Sequence, residues 1–145
     1  MKRIEGGICA VSGVKAAGVR HGKYGLALIA ASGTAAGMFT TTRVRAAHLA
    51  VTAQNLAGGR LDGVIANSGC ANAYTGPRGL EDARAMARLL AGFLETDEAK
   101  IGVASTGVIG RYLDLGQIKS LFQEASADLR SDGAARLAAE RAIMT

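Results

Sequence analysis

The chain has 145 residues, of which 49% are hydrophobic and 20% charged, and it carries a formal net charge of +5. This length predicts one compact domain with its own core, and the composition excludes intrinsic disorder. Arginine and lysine occur without a basic run and no apolar stretch reaches the roughly 18 residues of a membrane span, so we expect a cytoplasmic protein with neither nucleic-acid nor membrane partners.

The first third of the chain predicts strands. Residues 1–5 are charged but are not followed by an apolar stretch of secretory length, so we predict no signal peptide. Residues 6–19, rich in glycine and small side chains, predict a short strand that leads into a loop. Residues 26–31 form an apolar run between turn residues and predict a buried strand. Residues 36–42, with Phe39 and three threonines, favour a second strand that pairs with it as a hairpin.

The remainder of the chain alternates helices and strands. Apolar side chains at helical spacing predict a helix over residues 46–57, which ends at a glycine pair. The strongest helical pattern covers residues 80–94, and Glu81 and Asp82 would place negative charge at its amino-terminal end. Further elements are strands at residues 63–66 and 100–104 and helices at residues 115–129 and 134–144. This order predicts an α/β architecture of packed layers.

Two loops each follow a predicted strand and precede a helix, where α/β folds bind ligands. The first loop, residues 67–76, reads Asn-Ser-Gly-Cys-Ala-Asn-Ala-Tyr-Thr-Gly. It lacks the Gly-Lys-Ser/Thr sequence of a nucleoside triphosphate site and the spacing of a dinucleotide site. Two interpretations therefore stay open: a ligand contact, or polar side chains that hold the backbone at the end of a strand.

The second loop, residues 105–110, reads Ser-Thr-Gly-Val-Ile-Gly. A Thr-Gly pair at a strand end can direct the Thr106 hydroxyl and the Gly107 N–H toward one point, and two such donors form an oxyanion hole. The alternative is an ordinary turn. No serine or cysteine lies in a nucleophile-elbow pattern, and His48, at the start of a helix, is interpreted as a surface or capping residue. Cys9 and Cys70 predict buried reduced thiols, with no metal-ligand spacing.

On these two loops the chain resembles the ornithine acetyltransferases, enzymes of arginine biosynthesis. The first loop is similar to their Asn-Ser-Gly-Asn-Ala-Asn-Ala-Cys-Thr-Gly signature, and the second loop matches their oxyanion-hole motif. Residues 18–19, 35–40 and 142–145 follow the family's order, so the resemblance covers essentially the whole chain. It implies that residues 1–145 form a single α/β domain, the amino-terminal α-chain part of the family's layered αββα-type sandwich.

In that family a precursor cuts itself into an α and a β chain, and the new amino-terminal threonine of the β chain carries the acetyl group. The resemblance implies an N-acetyltransferase that moves acetyl from N-acetylornithine to glutamate through an acyl-threonine, without a bound cofactor; bifunctional members also accept acetyl-CoA. Thr106 and Gly107 would form the oxyanion hole, and Thr145 would contact the amino-acid substrate. The implied partner is a β chain, in a heterotetramer of two α and two β chains.

Three departures from the family accompany the resemblance. Cys70 and Tyr74 stand where the family's first loop has Asn and Cys, and His48 stands where a proline is common. The sequence ends at Thr145, before the family's substrate lysine and self-cleavage threonine. We therefore expect a fragment or truncated reading frame of an α chain, or part of a split protein, which does not turn over substrate alone. The alternatives are a non-catalytic amino-acid-binding domain and, less favoured by the loops, a nucleotide-binding domain.

Overall fold

A computed structural model describes residues 5–145. The prediction that no signal peptide is present was based on residues 1–5, and residues 1–4 of that segment lie outside the described residues. The fold is built on a four-stranded sheet in which the strands stand in chain order. The first and second strands pair antiparallel, as do the second and third, whereas the third and fourth pair parallel. The strands are β1 (Lys15–His21), β2 (Tyr24–Thr34), β3 (Arg60–Ser68) and β4 (Ile101–Ser105), and the helices are α1 (Ala47–Leu56), α2 (Gly76–Leu94), α3 (Leu115–Ala127) and α4 (Gly133–Ile143).

The partner of β2 differs from the prediction. The hairpin is formed by β1 and β2, whose last paired residues, His21 and Tyr24, leave only two residues for the turn. The segment at residues 36–42 is not a strand, and Met38 within it is fully exposed. Its predicted pairing with β2 is wrong because β1 and β3 already occupy both edges of β2. In residues 6–19 the predicted order of strand and loop is reversed: a loop that contains the short 3-10 helix Gly7–Ala10 comes first and leads into β1.

The two faces of the sheet pack differently. Leu26, Leu28 and Ile65 point to one face and are fully buried against α1, α2 and α3. The other face carries α4 over an alanine-lined contact made by Ala16, Ala27, Ala139 and Ala142. A Cβ atom on Gly18 or Gly25 would overlap the α4 backbone, so α4 lies directly on the strands. The predicted layered α/β fold is confirmed, and residues 5–145 contribute one sheet to it.

Helix α1 covers the outer edge of β4. The Thr52 hydroxyl donates to the Val103 carbonyl at 2.7 Å and accepts from the Val103 N–H at 2.8 Å. The Asn55 amide donates to the Ile101 carbonyl at 2.7 Å. These side chains supply hydrogen bonds that a further strand would otherwise make, which closes this part of the edge to other chains.

The predicted helices are confirmed, but α2 begins earlier than its charge pattern suggests. It starts at Gly76, with Pro77 in its first turn, so Glu81 and Asp82 lie in its second turn instead of at its amino-terminal end. Helices α3 and α4 begin after Asp114 and Asp132, whose carboxylates accept from backbone N–H groups of the first turn. No helix within residues 5–145 combines the length and the apolar character that crossing a membrane requires.

Candidate functional site

The first loop and the second loop run side by side, because β3 and β4 are parallel neighbours and end at the same edge of the sheet. Backbone hydrogen bonds continue the pairing beyond the strands. They join Thr106 N to Asn67 O (2.9 Å), Val108 N to Gly69 O (3.3 Å), Ala71 N to Val108 O (2.9 Å) and Gly110 N to Ala73 O (2.9 Å). The two loops therefore form one connected backbone unit.

Gly107 lies against the first loop at a distance that only glycine allows. Its φ is +126°, and a Cβ atom built there would lie 2.6 Å from Cys70 N and overlap the Gly69–Cys70 peptide. Gly69, at φ +96°, faces Tyr24 in turn. Both glycines are needed here for close backbone approach as well as for a positive φ.

The second loop carries adjacent hydrogen-bond donors that have no partner among the described residues, and the Ser105 hydroxyl, which is buried, is also without one. The Thr106 N–H is bonded to the Asn67 carbonyl, but neither the Thr106 hydroxyl nor the Gly107 N–H has a hydrogen-bond partner in the part of the chain that the structure describes. Thr106 is half-buried and Gly107 is exposed, so a ligand can reach them. Two adjacent donors of this kind can bind an oxygen that carries negative charge.

In the first loop the buried polar side chains bind the protein's own backbone or one another. The Asn67 amide donates to the Cys70 carbonyl at 2.9 Å, and the Asn72 amide donates to the Gly79 carbonyl at 2.8 Å. Thr75 donates to the Asn72 side chain at 2.8 Å. These three residues are 2%, 0% and 6% exposed, so in Asn67, Asn72 and Thr75 the interpretation as backbone supports is favoured over direct ligand contact.

Thr145, the residue implied to bind the amino-acid substrate, follows the end of α4 and is exposed. The Ser68 hydroxyl donates to the Ala142 carbonyl at 2.7 Å, and Arg20 donates to the carbonyl of Met144. Because Ser68 is the last residue of β3, these contacts hold the end of α4 beside the edge at which the two loops emerge.

His48 and the two cysteines differ in part from their predicted surroundings. His48 is the second residue of α1 and is half-buried, so it is neither a cap nor a surface residue; burial lowers its pKa, against the opposing effect of a hydrogen bond with the Ala71 backbone. Both thiols are free, as predicted, but only Cys70 is buried. Its sulfur lies 3.2 Å from the Arg111 carbonyl.

Asp82, in the second turn of α2, is a buried carboxylate close to the segment that follows the second loop. Asp82 is 4% exposed, and burial raises its pKa, while the charge of Arg78 and a hydrogen bond from the Leu113 backbone oppose the rise. The Arg78 guanidinium lies 4.1 Å from the centre of the Tyr112 ring. Arg78 and Asp82 are four residues apart on α2, and this spacing was the signal in the sequence for their ion pair.

A polar cavity of about 210 Å³ lies beyond the first loop, toward the start of α3. Asn67, Cys70 and Tyr24 line one side, and Tyr112, Asp114 and Gln117 line the other. No group of three or more metal-ligating side chains occurs within residues 5–145.

Comparisons with known proteins agree on one family. The model of the ArgJ family matches residues 11–145. The glutamate N-acetyltransferase of Methanothermobacter thermautotrophicus is 49% identical over 146 residues, which cover 100% of this chain but 36% of that protein. Among solved structures, an ornithine acetyltransferase from Mycobacterium tuberculosis, complexed with ornithine, matches with a TM-score of 0.90 at 37% identity over 95% of this chain and 78% of the other.

A second solved structure, the arginine biosynthesis bifunctional protein of Bacillus halodurans, matches with a TM-score of 0.88 at 32% identity, over 95% of this chain and 75% of that one. The two structural matches show the same fold. The present chain spans little more than a third of the length of its Methanothermobacter relative.

Proposed function

The chain belongs to the ArgJ family, and on that premise we propose that it supplies the oxyanion hole of a cytoplasmic glutamate N-acetyltransferase of arginine biosynthesis. One observation carries the proposal. The Thr106 hydroxyl and the Gly107 N–H are adjacent and accessible, and within residues 5–145 they have no acceptor of their own. The names of the relatives, a glutamate N-acetyltransferase and an ornithine acetyltransferase, supply the substrate class.

In the proposed reaction the nucleophile is the amino-terminal threonine of a second, β chain, whose free α-amine accepts the hydroxyl proton. The threonine oxygen adds to the acetyl carbonyl of N-acetylornithine, and the displaced π electron pair becomes a negative charge on the carbonyl oxygen. Thr106 and Gly107 donate hydrogen bonds to that oxygen. The intermediate collapses by breaking the C–N bond, and the leaving nitrogen takes the proton, which releases ornithine and leaves an acetyl ester.

Glutamate completes the cycle by the same chemistry. Its neutral α-amine adds to the ester carbonyl, and the oxyanion forms again in the same place. The C–O bond then breaks, and the proton that the amine loses passes to the threonine oxygen, which regenerates the hydroxyl and releases N-acetylglutamate. Thr145 contacts the amino-acid substrate in this proposal, supported by its position at the edge of the sheet where both loops emerge. Two α and two β chains form the assembly, no cofactor is bound, and acetyl-CoA is a further acetyl donor if the enzyme is bifunctional.

The test is Thr106→Ala in the complete enzyme, produced by co-expressing this chain with the nucleophile-bearing chain. Loss of one oxyanion donor lowers kcat by about 10²- to 10³-fold in comparable enzymes, and we expect a loss of that size for acetyl transfer from N-acetylornithine to glutamate. Thr106→Ser keeps the hydroxyl and is the matched control, expected to retain most of the rate. A Thr106→Ala enzyme with kcat within about twofold of wild type would show that this hydroxyl is not an oxyanion donor.

A further inference from the structure

Asn67 bonds to both of the backbone segments that meet behind Gly107. Its carbonyl accepts from the Thr106 N–H at 2.9 Å, and its side-chain amide donates to the Cys70 carbonyl at 2.9 Å. It is 2% exposed and lies opposite Ser105 in the register of β3 and β4. One residue therefore connects the start of the second loop with the turn of the first loop.

That turn forms the surface on which Gly107 rests. The Gly69–Cys70 peptide is so close to Gly107 that no Cβ fits between them. The Asn67 amide spans this peptide from residue 67 to the carbonyl of residue 70. Together with the backbone bonds of Gly69 and Ala71 to Val108, its hydrogen bond fixes how far the turn projects toward Gly107. A shift of the peptide would displace Gly107 and its N–H together.

The orientation of the Asn67 amide is determined by its surroundings. Reversing the side chain would place its oxygen against the Cys70 carbonyl, and two acceptors cannot bond to each other. The Asn67 side-chain oxygen is buried without a partner among the described residues, so the side chain bonds to the protein only through its NH2 group. An isosteric carboxylate at this position would lack the donor and repel the carbonyl.

We propose that Asn67 is a positioning residue for the oxyanion hole, holding the Gly69–Cys70 peptide so that Gly107 presents its N–H to the developing charge. The inference rests on the proposed function, since it assumes that Thr106 and Gly107 bind the oxyanion. In this proposal Asn67, which is 2% exposed, acts through the turn and not by contact with substrate. Its effect is therefore on the rate of the chemical step and not on substrate binding.

The chain offers a matched control in Asn72, a second buried asparagine of the same loop. Its amide also donates to a backbone carbonyl, but that carbonyl belongs to Gly79 in α2 and not to the turn beneath Gly107. Asn67→Asp and Asn72→Asp make the same chemical change and each remove one buried hydrogen bond. Both are expected to lower the melting temperature, so stability alone does not distinguish them.

The experiment measures kcat and KM for N-acetylornithine in the complete enzyme, normalised to the folded fraction by circular dichroism. A displacement of about 1 Å at a catalytic group can cost about 10²-fold, so we expect Asn67→Asp to lower kcat by about 10- to 100-fold with KM little changed. Asn72→Asp is expected to keep kcat within about threefold of wild type. Asn67→Ala, which removes the donor without adding charge, carries the test if the aspartate variant does not fold.

Wild-type kcat in the folded Asn67 variants, or a loss equal to that in Asn72→Asp, overturns the positioning role. A loss that appears in KM alone also overturns it, because it would indicate a binding contact. Thr106→Ala is measured alongside. If it retains the wild-type rate, the oxyanion assignment itself fails, whereas a loss in Thr106→Ala with normal Asn67 variants removes only the present inference.

Discussion

The first loop and the second loop follow neighbouring parallel strands, but they use their polar groups in opposite ways. In the first loop Asn67, Asn72 and Thr75 are buried and bonded to backbone or to each other. In the second loop the Thr106 hydroxyl and the Gly107 N–H are accessible and, within residues 5–145, have no acceptor. Residue type alone therefore does not identify a binding group, because burial and existing partners decide which donors remain for a ligand.

The largest effect is expected where the two loops touch. Gly107→Ala would push a Cβ into the Gly69–Cys70 peptide at a φ of +126°, so the loops must separate. We expect kcat for acetyl transfer in the complete enzyme to fall by at least about 100-fold, since the N–H is displaced from the reacting oxygen. Activity is measured per folded enzyme, with the melting temperature recorded in parallel.

Gly110→Ala is the control for this variant. Gly110 has a φ of +78°, but an added Cβ would meet nothing within 4 Å. The control therefore carries the backbone cost of a positive φ, about 1–2 kcal/mol, without the overlap. Equal losses of kcat in both variants would mean that strain in the second loop, and not its contact with the first loop, controls activity.

The stability of the folded protein is expected to depend on pH through Asp82, the buried carboxylate of α2. Burial raises the pKa of Asp82 above its ordinary value, so the folded protein holds this proton more tightly than the unfolded chain. The stability from this group is present at low pH and is lost as pH rises from about 4 through the raised pKa. The Asp82→Asn variant does not undergo this loss, so its melting temperature should rise relative to that of the wild type as the pH increases over this range.

Thermal unfolding of both proteins across this pH range checks the prediction. The difference in melting temperature should rise with pH and level off once the carboxyl is ionised in the folded state. Arg78 and Glu81 are the charged neighbours that act on Asp82, and both are unchanged in the variant. A difference that does not vary with pH would mean that Asp82 has an ordinary pKa and that its carboxylate is not held out of water.

The elements that the sequence predicted correctly are those whose signal is local. Apolar runs between turn residues located β3 and β4, and helical spacing located α1 and α3. The hairpin with residues 36–42 failed because strand propensity does not tell whether a neighbouring edge is free, and β2 has β1 and β3 on its two sides.

The candidate site was also predictable only where its signal is local in the sequence. The Thr-Gly pair and the glycines of both loops are local patterns, and they identified the region. The role of Asn67 depends on the path of a turn that brings the Cys70 carbonyl to its amide, and the pKa of Asp82 depends on burial and on the Leu113 backbone, which is distant in the sequence. Burial of a polar side chain is a property of the packed structure, so the two asparagines of the first loop could not be separated by sequence alone.

The smallest effect is expected at the one residue of the first loop whose side chain points to solvent. Tyr74 is 71% exposed, at a φ of +58°, and it replaces the cysteine usual in the family resemblance. Tyr74→Cys should change the free energy of unfolding by less than about 0.5 kcal/mol, as exposed substitutions usually do. Cys70→Ala, at the buried departure beside the Arg111 carbonyl, should cost about 1 kcal/mol or more. Urea denaturation of both variants measures the contrast. If Tyr74→Cys instead lowered kcat without a change in stability, the first loop would contribute a residue to the site, and the division between a supporting loop and a donor loop would be wrong.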